Sequence, residues 1–222
     1  MSWISAIAYF VIFNALLRYP FIAIALVLAY VFRDRIPNPA EWVRRSKQFG
    51  RLKREVAVNQ HNSVARRNLG MILLEKRRPA EALSNFMEAL KKEPGSAELN
   101  HFVGLSYLRT GAYEKAAEHL GKAVEIDPRL KYGESHLYLS EALLGMGRPD
   151  GALAQFDAFL AINNTSIEGL YGYATALNAL GRKDEAKKAV EDGIRFHKGN
   201  PAFRRRKDWR WYVRLKALRR KL

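Results

Sequence analysis

Cysteine is absent from the 222-residue sequence, which excludes thiol nucleophiles, disulfide bonds and metal sites built on thiolates. The sequence also lacks a glycine-rich phosphate loop and the motif that surrounds a nucleophilic serine in hydrolases. None of its histidines has the spacing of a metal site, with two on one helix and an acidic residue nearby. These absences favour a binding protein over an enzyme, with no metal and no cofactor.

Acidic residues are missing from the start of the chain. No aspartate or glutamate precedes Asp34, and between residues 3 and 32 the only strongly polar side chains are Asn14 and Arg18. A helix of this length spans about 45 Å, against about 30 Å for the hydrocarbon core of a bilayer. No basic residue precedes the run, and it is longer than the core of a cleaved signal peptide. We expect residues 1–32 to be inserted in a membrane, with Asn14 and Arg18 contacting another subunit there.

Two ways of inserting this segment remain, because Pro20 interrupts the backbone hydrogen bonds of a helix. A single kinked helix would cross the bilayer, whereas a helical hairpin would enter and return with Arg18 and Pro20 at its tip. The single helix is favoured, since a hairpin tip at mid-depth would leave backbone polar groups unsatisfied in lipid. In both geometries the rest of the chain is cytoplasmic, because the excess of basic residues follows the segment. A bacterial inner membrane is the expected location.

Positive charge is concentrated in two segments. The chain has 38 Lys and Arg against 22 Asp and Glu, a net charge of +16. Residues 33–54 hold eight basic and two acidic residues, residues 202–222 hold ten and one, and residues 55–201 are neutral. The middle of the chain is therefore not itself a polyanion-binding body.

A spacing of about 34 residues recurs through this neutral middle. The markers Ala82, Ala116, Ala152 and Ala186 are separated by 34, 36 and 34 residues. Twelve residues before each stands a small residue, and four residues after each stands a large apolar one. This period predicts two helices per copy, joined at a turn that is a glycine in the last three copies. One such pair cannot bury its apolar faces alone, so the copies must stack into a solenoid with a concave inner surface.

The pattern resembles the tetratricopeptide repeat (TPR) over about three fifths of the chain. The resemblance implies an all-α TPR-type helical solenoid of about four repeats at residues 63–200. In the fourth copy Gly193 replaces the alanine that copies one and two have seven residues after the marker. The predicted copies are 63–96, 97–130, 133–166 and 167–200.

The two basic segments flank this solenoid. Residues 33–62 are a predicted juxtamembrane linker and helix, and Asn38 with Pro39 makes a good helix start. Basic residues so close to a bilayer are attracted to anionic lipids, although a solvated helix face is the alternative. The residues assigned to the lipid surface here are Arg44, Arg45 and Lys47.

Residues 201–222 predict a C-terminal capping helix. Trp211, Leu215, Leu218 and Leu222 recur at helical spacing, and a repeat array needs a terminal element over its last apolar face. Capping does not explain the basic residues of this helix, which suggest a membrane surface or an acidic partner. Nucleic acid is the weaker alternative, because no recognised RNA or DNA motif accompanies them. The residues assigned to this surface are Arg204, Arg205, Arg206 and Lys207.

The TPR resemblance also implies an inner groove lined by the first helix of each copy. Only Arg67 matches the Lys, Asn and Arg residues with which some TPR domains clamp a chaperone carboxylate, so that clamp is not expected. A groove centred on leucines suits an amphipathic helix or an extended segment with apolar anchors, unless those leucines pack within the array. The predicted groove residues are Arg67, Met71, Leu74, Glu75, His101, Leu105, Leu108, Arg109, Leu137, Glu141, Leu144, Tyr171, Thr175 and Asn178.

The combined expectation is a membrane-anchored TPR scaffold or adaptor that assembles a membrane complex. Its expected partners are other protein subunits, membrane proteins among them, and an anionic lipid surface. An accessory subunit of a transporter or ion-driven machine, whose membrane segment does the work, is the alternative. A third hypothesis is an RNA-associated membrane protein that acts through its C-terminal tail.

Overall fold

The computed structural model describes residues 18, 19, 21, 24 and 39–222. Most of the predicted membrane segment, Asn14 included, lies outside these residues, whereas Arg18 is described and exposed. In the described part of the chain, no helix is both long enough and apolar enough to cross a bilayer. Leu52–Leu222 forms one compact unit, and the described residues up to Arg51 belong to another.

Ten α-helices and no strand occupy the described chain from residue 39 onward. Asn62, Ser96 and Ser166 cap three of the helices, each accepting a hydrogen bond from the backbone N–H three residues later. Pro79 and Pro149 begin two others, where a missing N–H costs nothing. The helices are α1 Pro39–Val58, α2 Ser63–Glu75, α3 Pro79–Leu90, α4 Ala97–Thr110, α5 Tyr113–Ile126, α6 Glu134–Gly145, α7 Pro149–Ile162, α8 Ile167–Ala179, α9 Lys183–Gly199 and α10 Ala202–Arg219.

Helices α2 to α9 pack in consecutive pairs, and each pair packs on the next, which confirms the predicted all-helical solenoid. The four marker alanines are fully buried. So are the large apolar residues four positions after them, Phe86, Leu120, Phe156 and Val190.

Glycine at the earlier small position allows the two helices of a pair to approach closely. A Cβ atom added at Gly104 in α4 would lie 2.5 Å from Leu120 Cγ and 3.0 Å from the Leu120 backbone nitrogen in α5. Backbone on the opposite side cannot move aside as a flexible side chain can, so this position requires glycine.

The turns within repeats use a left-handed residue five positions before the marker alanine. In three copies this residue is glycine, and the first copy has Arg77 there with a φ of 58°. The two extra residues between copies two and three, Lys131 and Tyr132, also have positive φ, within the short 3₁₀ helix Leu130–Gly133. The two inserted residues are therefore confined to the connection between α5 and α6, and these two helices still pack against each other.

The last helix covers the end of the solenoid. Helix α10 packs against α8 and α9, where Trp211 and Leu215 join a buried cluster with Ile167 and Val190. A Cβ atom at Gly193 would lie 2.6 Å from Leu215 Cδ1. The glycine that replaces alanine in the fourth copy thus makes room for the leucine of the covering helix.

Candidate functional site

A groove of about 850 Å³ runs along the repeats within the unit Leu52–Leu222. The helices α2, α4, α6 and α8 contribute most of its lining, and α10 closes one end. Apolar and charged side chains alternate along it. The lining residues are Leu74, Glu75, Arg77, Pro79, Leu105, Arg109, Glu141, Leu144, Phe156, Glu168, Tyr171, Gly172, Thr175, Arg210, Trp211 and Arg214.

Eight of the predicted groove residues lie in this lining. Helical spacing brings them together, because residues three or four apart lie on the same face of a helix. Leu105 and Arg109 are such a pair on α4, and Tyr171 and Thr175 are another on α8. The eight are Leu74, Glu75, Leu105, Arg109, Glu141, Leu144, Tyr171 and Thr175.

Two predicted residues must be removed from the groove set because they are buried. His101 is 1% exposed and Leu137 is 4% exposed. The Nδ1 atom of His101 lies 2.9 Å from Ser135 Oγ in the next repeat, so its imidazole ring is a packing element. Both residues belong to central repeats, which have a neighbouring repeat on each side. These neighbours cover side chains whose equivalents in the first and last repeats stay accessible.

Four other predicted residues also lie outside the lining. Arg67 forms an ion pair with Glu98 of the next repeat, with Nη1 and Oε2 2.9 Å apart. Leu108 packs against the buried cluster that contains Leu120 and Leu139. The remaining two, Met71 and Asn178, are half-buried.

Three arginines of the lining lie over aromatic rings. The guanidinium carbon of Arg210 is 4.4 Å from the centre of the Trp211 ring, and that of Arg214 is 4.7 Å from the same ring. Arg214 also lies 5.9 Å from the centre of the Tyr171 ring. Arg109, on α4, lies 5.9 Å from the centre of the Tyr138 ring. Stacking of this kind holds a guanidinium in place while its N–H edges stay available for hydrogen bonds.

The carboxyl groups of Glu141 and Glu168 line the groove together with these arginines. Burial and then the negative charge of Glu168 raise the pKa of Glu141 to about 7, although Arg109, Arg210 and Arg214 act to lower it. Burial also raises the pKa of Glu168, against the opposing effect of Arg210 and Arg109. Near neutral pH a large fraction of Glu141 therefore carries its proton.

Sequence reasoning missed Glu168 and the contribution of α10 to the groove. Arg210 and Arg214 are four residues apart and flank Trp211, so they share a face of α10 next to its buried stripe. That spacing is visible in the sequence, but it indicates the groove only if the direction in which α10 crosses the last repeat is known.

The residues assigned to a lipid surface are exposed. Arg44, Arg45 and Lys47 lie on α1, and the four predicted residues of α10 lie near its start. Phe203 and Trp209 are exposed beside them. The four are Arg204, Arg205, Arg206 and Lys207.

Comparison with protein families identifies the repeats. Residues 67–130 match one family model described as tetratricopeptide repeat, and residues 107–163 and 143–205 match a second model with the same description. Together the matches extend over more than half of the chain.

The chain is also similar in sequence to another protein and similar in fold to solved structures. The DnaJ homolog subfamily C member 7 homolog of Schizosaccharomyces pombe is 32% identical over 139 residues, which are 56% of this chain and 29% of that protein. The chain thus spans less than a third of the length of this relative. The crystal structure of MamA aligns with a TM-score of 0.63 at 18% identity, over 68% of this chain and 87% of MamA. YrrB, a TPR protein with an unusual peptide-binding site, aligns with a TM-score of 0.57 at 19% identity, over 67% of this chain and 76% of YrrB.

Proposed function

The chain belongs to the tetratricopeptide repeat family, and we propose that it is a membrane-anchored cytoplasmic adaptor whose groove holds a segment of a partner protein. TPR repeats serve as scaffolds for interactions between proteins. The observation that carries the proposal is the groove itself, with half-buried leucines and an aromatic ring placed between charged side chains. Such a lining suits an amphipathic segment with apolar anchors.

Leu74, Leu105 and Leu144 are the proposed anchor sites. They lie on three successive repeats and are half-buried, so they can lose further exposed apolar surface when a partner binds. Tyr171 of the fourth repeat extends this apolar strip toward α10. The peptide-binding site of YrrB is a property of that protein, and its similarity to this chain concerns the fold alone.

The groove proposal can be tested with peptides selected from a random display library on the full chain in mild detergent. We expect the Leu105→Lys variant to bind the selected peptides at least about tenfold more weakly, because a charge replaces a central anchor. Val64→Lys is the matched control, since Val64 is an exposed aliphatic residue outside the groove lining. Failure to select peptides, or equal binding by the two variants, argues against the groove as the binding surface.

The proposed anchor rests on the long apolar run at residues 3–32, in which Arg18 is the only charged residue. The proposal includes a partner for Arg18 and Asn14 inside the membrane, since no acidic residue of the run can neutralise Arg18. The basic surfaces on α1 and α10 are proposed to contact anionic lipid headgroups on the cytoplasmic side.

The anchor is tested by membrane fractionation. We expect the full chain to resist extraction from membranes at alkaline pH, and a variant without residues 1–32 to become extractable. A cysteine introduced at Ser2 then distinguishes the two geometries, because the chain has no other thiol. Labelling from outside the cytoplasm indicates a single span, labelling only from the cytoplasm indicates a hairpin, and extraction of the full chain contradicts the anchor.

A further inference from the structure

Three of the four arginines that line the groove, Arg109, Arg210 and Arg214, form no ion pair within the described part of the chain. No carboxylate oxygen of the described residues lies within 4 Å of the side-chain nitrogens of Arg109, Arg210 or Arg214, whereas four other arginines of the same unit have such a partner. Those four pairs are Arg67 with Glu98, Arg78 with Glu81, Arg182 with Glu185, and Arg195 with Asp192.

The three guanidinium groups are held in place and exposed. Arg210 and Arg214 lie over the Trp211 ring at 4.4 and 4.7 Å, and Trp211 is itself anchored in the buried cluster under α10. Arg109 reaches the same groove from α4. A guanidinium whose face is stacked can still donate two parallel hydrogen bonds from its edge, which is the geometry that a carboxylate accepts.

The charge balance of the groove favours an anion over a cation. Four arginines line it, including Arg77, against three glutamates. Burial raises the pKa of Glu141 to about 7, so this carboxyl group is partly neutralised near pH 7 and competes less for the arginines. Burial raises the pKa of Glu168 as well, which favours its neutral form. A lysine of a partner would be repelled by the arginines, and the carboxylate charges of the groove are too few to balance that repulsion.

We propose that the α10 end of the groove binds the carboxylate of an aspartate or glutamate side chain in the partner segment, through Arg109, Arg210 and Arg214. This proposal rests on the proposed function, since it assumes that the groove holds a peptide. Leu105, Leu144 and Tyr171 line the same groove, so the acidic residue is expected close to apolar anchors in the partner sequence. The site differs from the chaperone carboxylate clamp, because its matching residue Arg67 is paired with Glu98 and two of the three arginines belong to the covering helix.

The test uses peptides selected from the random display library on the full chain in mild detergent, then synthesised with amidated C-termini so that only side-chain carboxylates are present. We expect the selected sequences to be enriched in Asp or Glu beside apolar residues. The double variant Arg210→Gln/Arg214→Gln should bind them about tenfold more weakly or worse, because charge-assisted hydrogen bonds are lost. Replacement of the acidic residue by Asn or Gln should weaken binding to the wild type and have little effect on binding to the double variant.

Two controls separate charge from folding. Lys216→Gln/Arg219→Gln removes the same charge from the same helix outside the groove lining and should leave the affinity unchanged. Arg210→Lys/Arg214→Lys keeps the charge and should restore part of the affinity, whereas a variant that has lost its fold would show a lowered melting temperature. Peptides that bind and lose affinity in Leu105→Lys, but show no acidic preference, overturn the carboxylate site and leave the proposed function standing. If no peptide is selected, both proposals fail.

Discussion

Leu215→Ala is expected to lower the free energy of unfolding by about 2–5 kcal/mol, the range measured for leucine truncation in a well-packed core. Leu215 is fully buried and contacts α9 at Gly193, so removal of its side chain leaves a cavity beneath α10. In a repeat array each helix pair is stabilised mainly by its neighbours. Weaker packing of α10 therefore also destabilises the last repeat, formed by α8 and α9. Thermal or chemical denaturation measures the loss.

Hydrogen exchange distinguishes this effect from a general loss of stability. In Leu215→Ala the amides of α8 and α9 should lose protection first, while those of α2 and α3 keep theirs, because coupling acts between neighbouring repeats. Val213→Ala is the matched control on the same helix, since Val213 is 46% exposed, and its effect should stay within about 0.5 kcal/mol. A uniform loss of protection along the chain would mean that the solenoid unfolds as one unit and that the end helix is not a separate cover.

The repeat could be predicted from the sequence because the same local requirement occurs four times. A small residue is needed wherever two helices of a pair approach closely, and the marker alanines meet that need with no exposed surface at all. Glycine occurs at three of the four left-handed turns for a similar reason, since other residues resist positive φ. The first turn is the exception, because Arg77 adopts this conformation, and no glycine in the sequence marks it.

Which residues face the groove could be predicted only in part. Arg67, His101, Leu137 and Tyr171 occupy equivalent positions in the four copies, yet the two central ones are buried and Tyr171 lines the groove. Their positions in the repeat are alike, and their neighbours are different. The sequence pattern of one copy does not show which of its residues the side chains of the next repeat will cover.

The role of α10 in the groove depends on tertiary packing. The sequence predicts a helix with a buried stripe, and it does not distinguish among the basic residues of that helix, which suggest a lipid surface or an acidic partner. The packing of Trp211 and Leu215 separates that group, because Arg210 and Arg214 reach the groove while the residues from Arg204 to Lys207 do not line it. Only the contacts of α10 with α8 and α9 fix this division.

Glu141→Gln is the second large expected effect, and it depends on pH. The pKa of Glu141 rises from its usual value of 4.5 to about 7 in the folded protein, because burial and Glu168 disfavour the charged form. A group whose pKa is raised on folding stabilises the protein below its unfolded pKa, and this stabilisation is lost as the pH rises through the folded pKa. The wild type therefore loses stability between about pH 4.5 and pH 7 through this residue. Glutamine does not titrate, so the variant avoids the loss.

At pH 8 we expect Glu141→Gln to be more stable than the wild type by about 2–3 kcal/mol, and near pH 4 we expect no gain. Chemical denaturation at a series of pH values measures the difference. His101 changes in the opposite sense, since burial and the charge of Lys131 lower its pKa from 6.5 to about 4, and its contribution is lost as the pH falls between these values. The two effects oppose each other in the wild type, so the variant should show a steeper loss of stability on the acid side. Equal pH profiles for the two proteins would mean that Glu141 is well solvated in the groove and ionised at neutral pH.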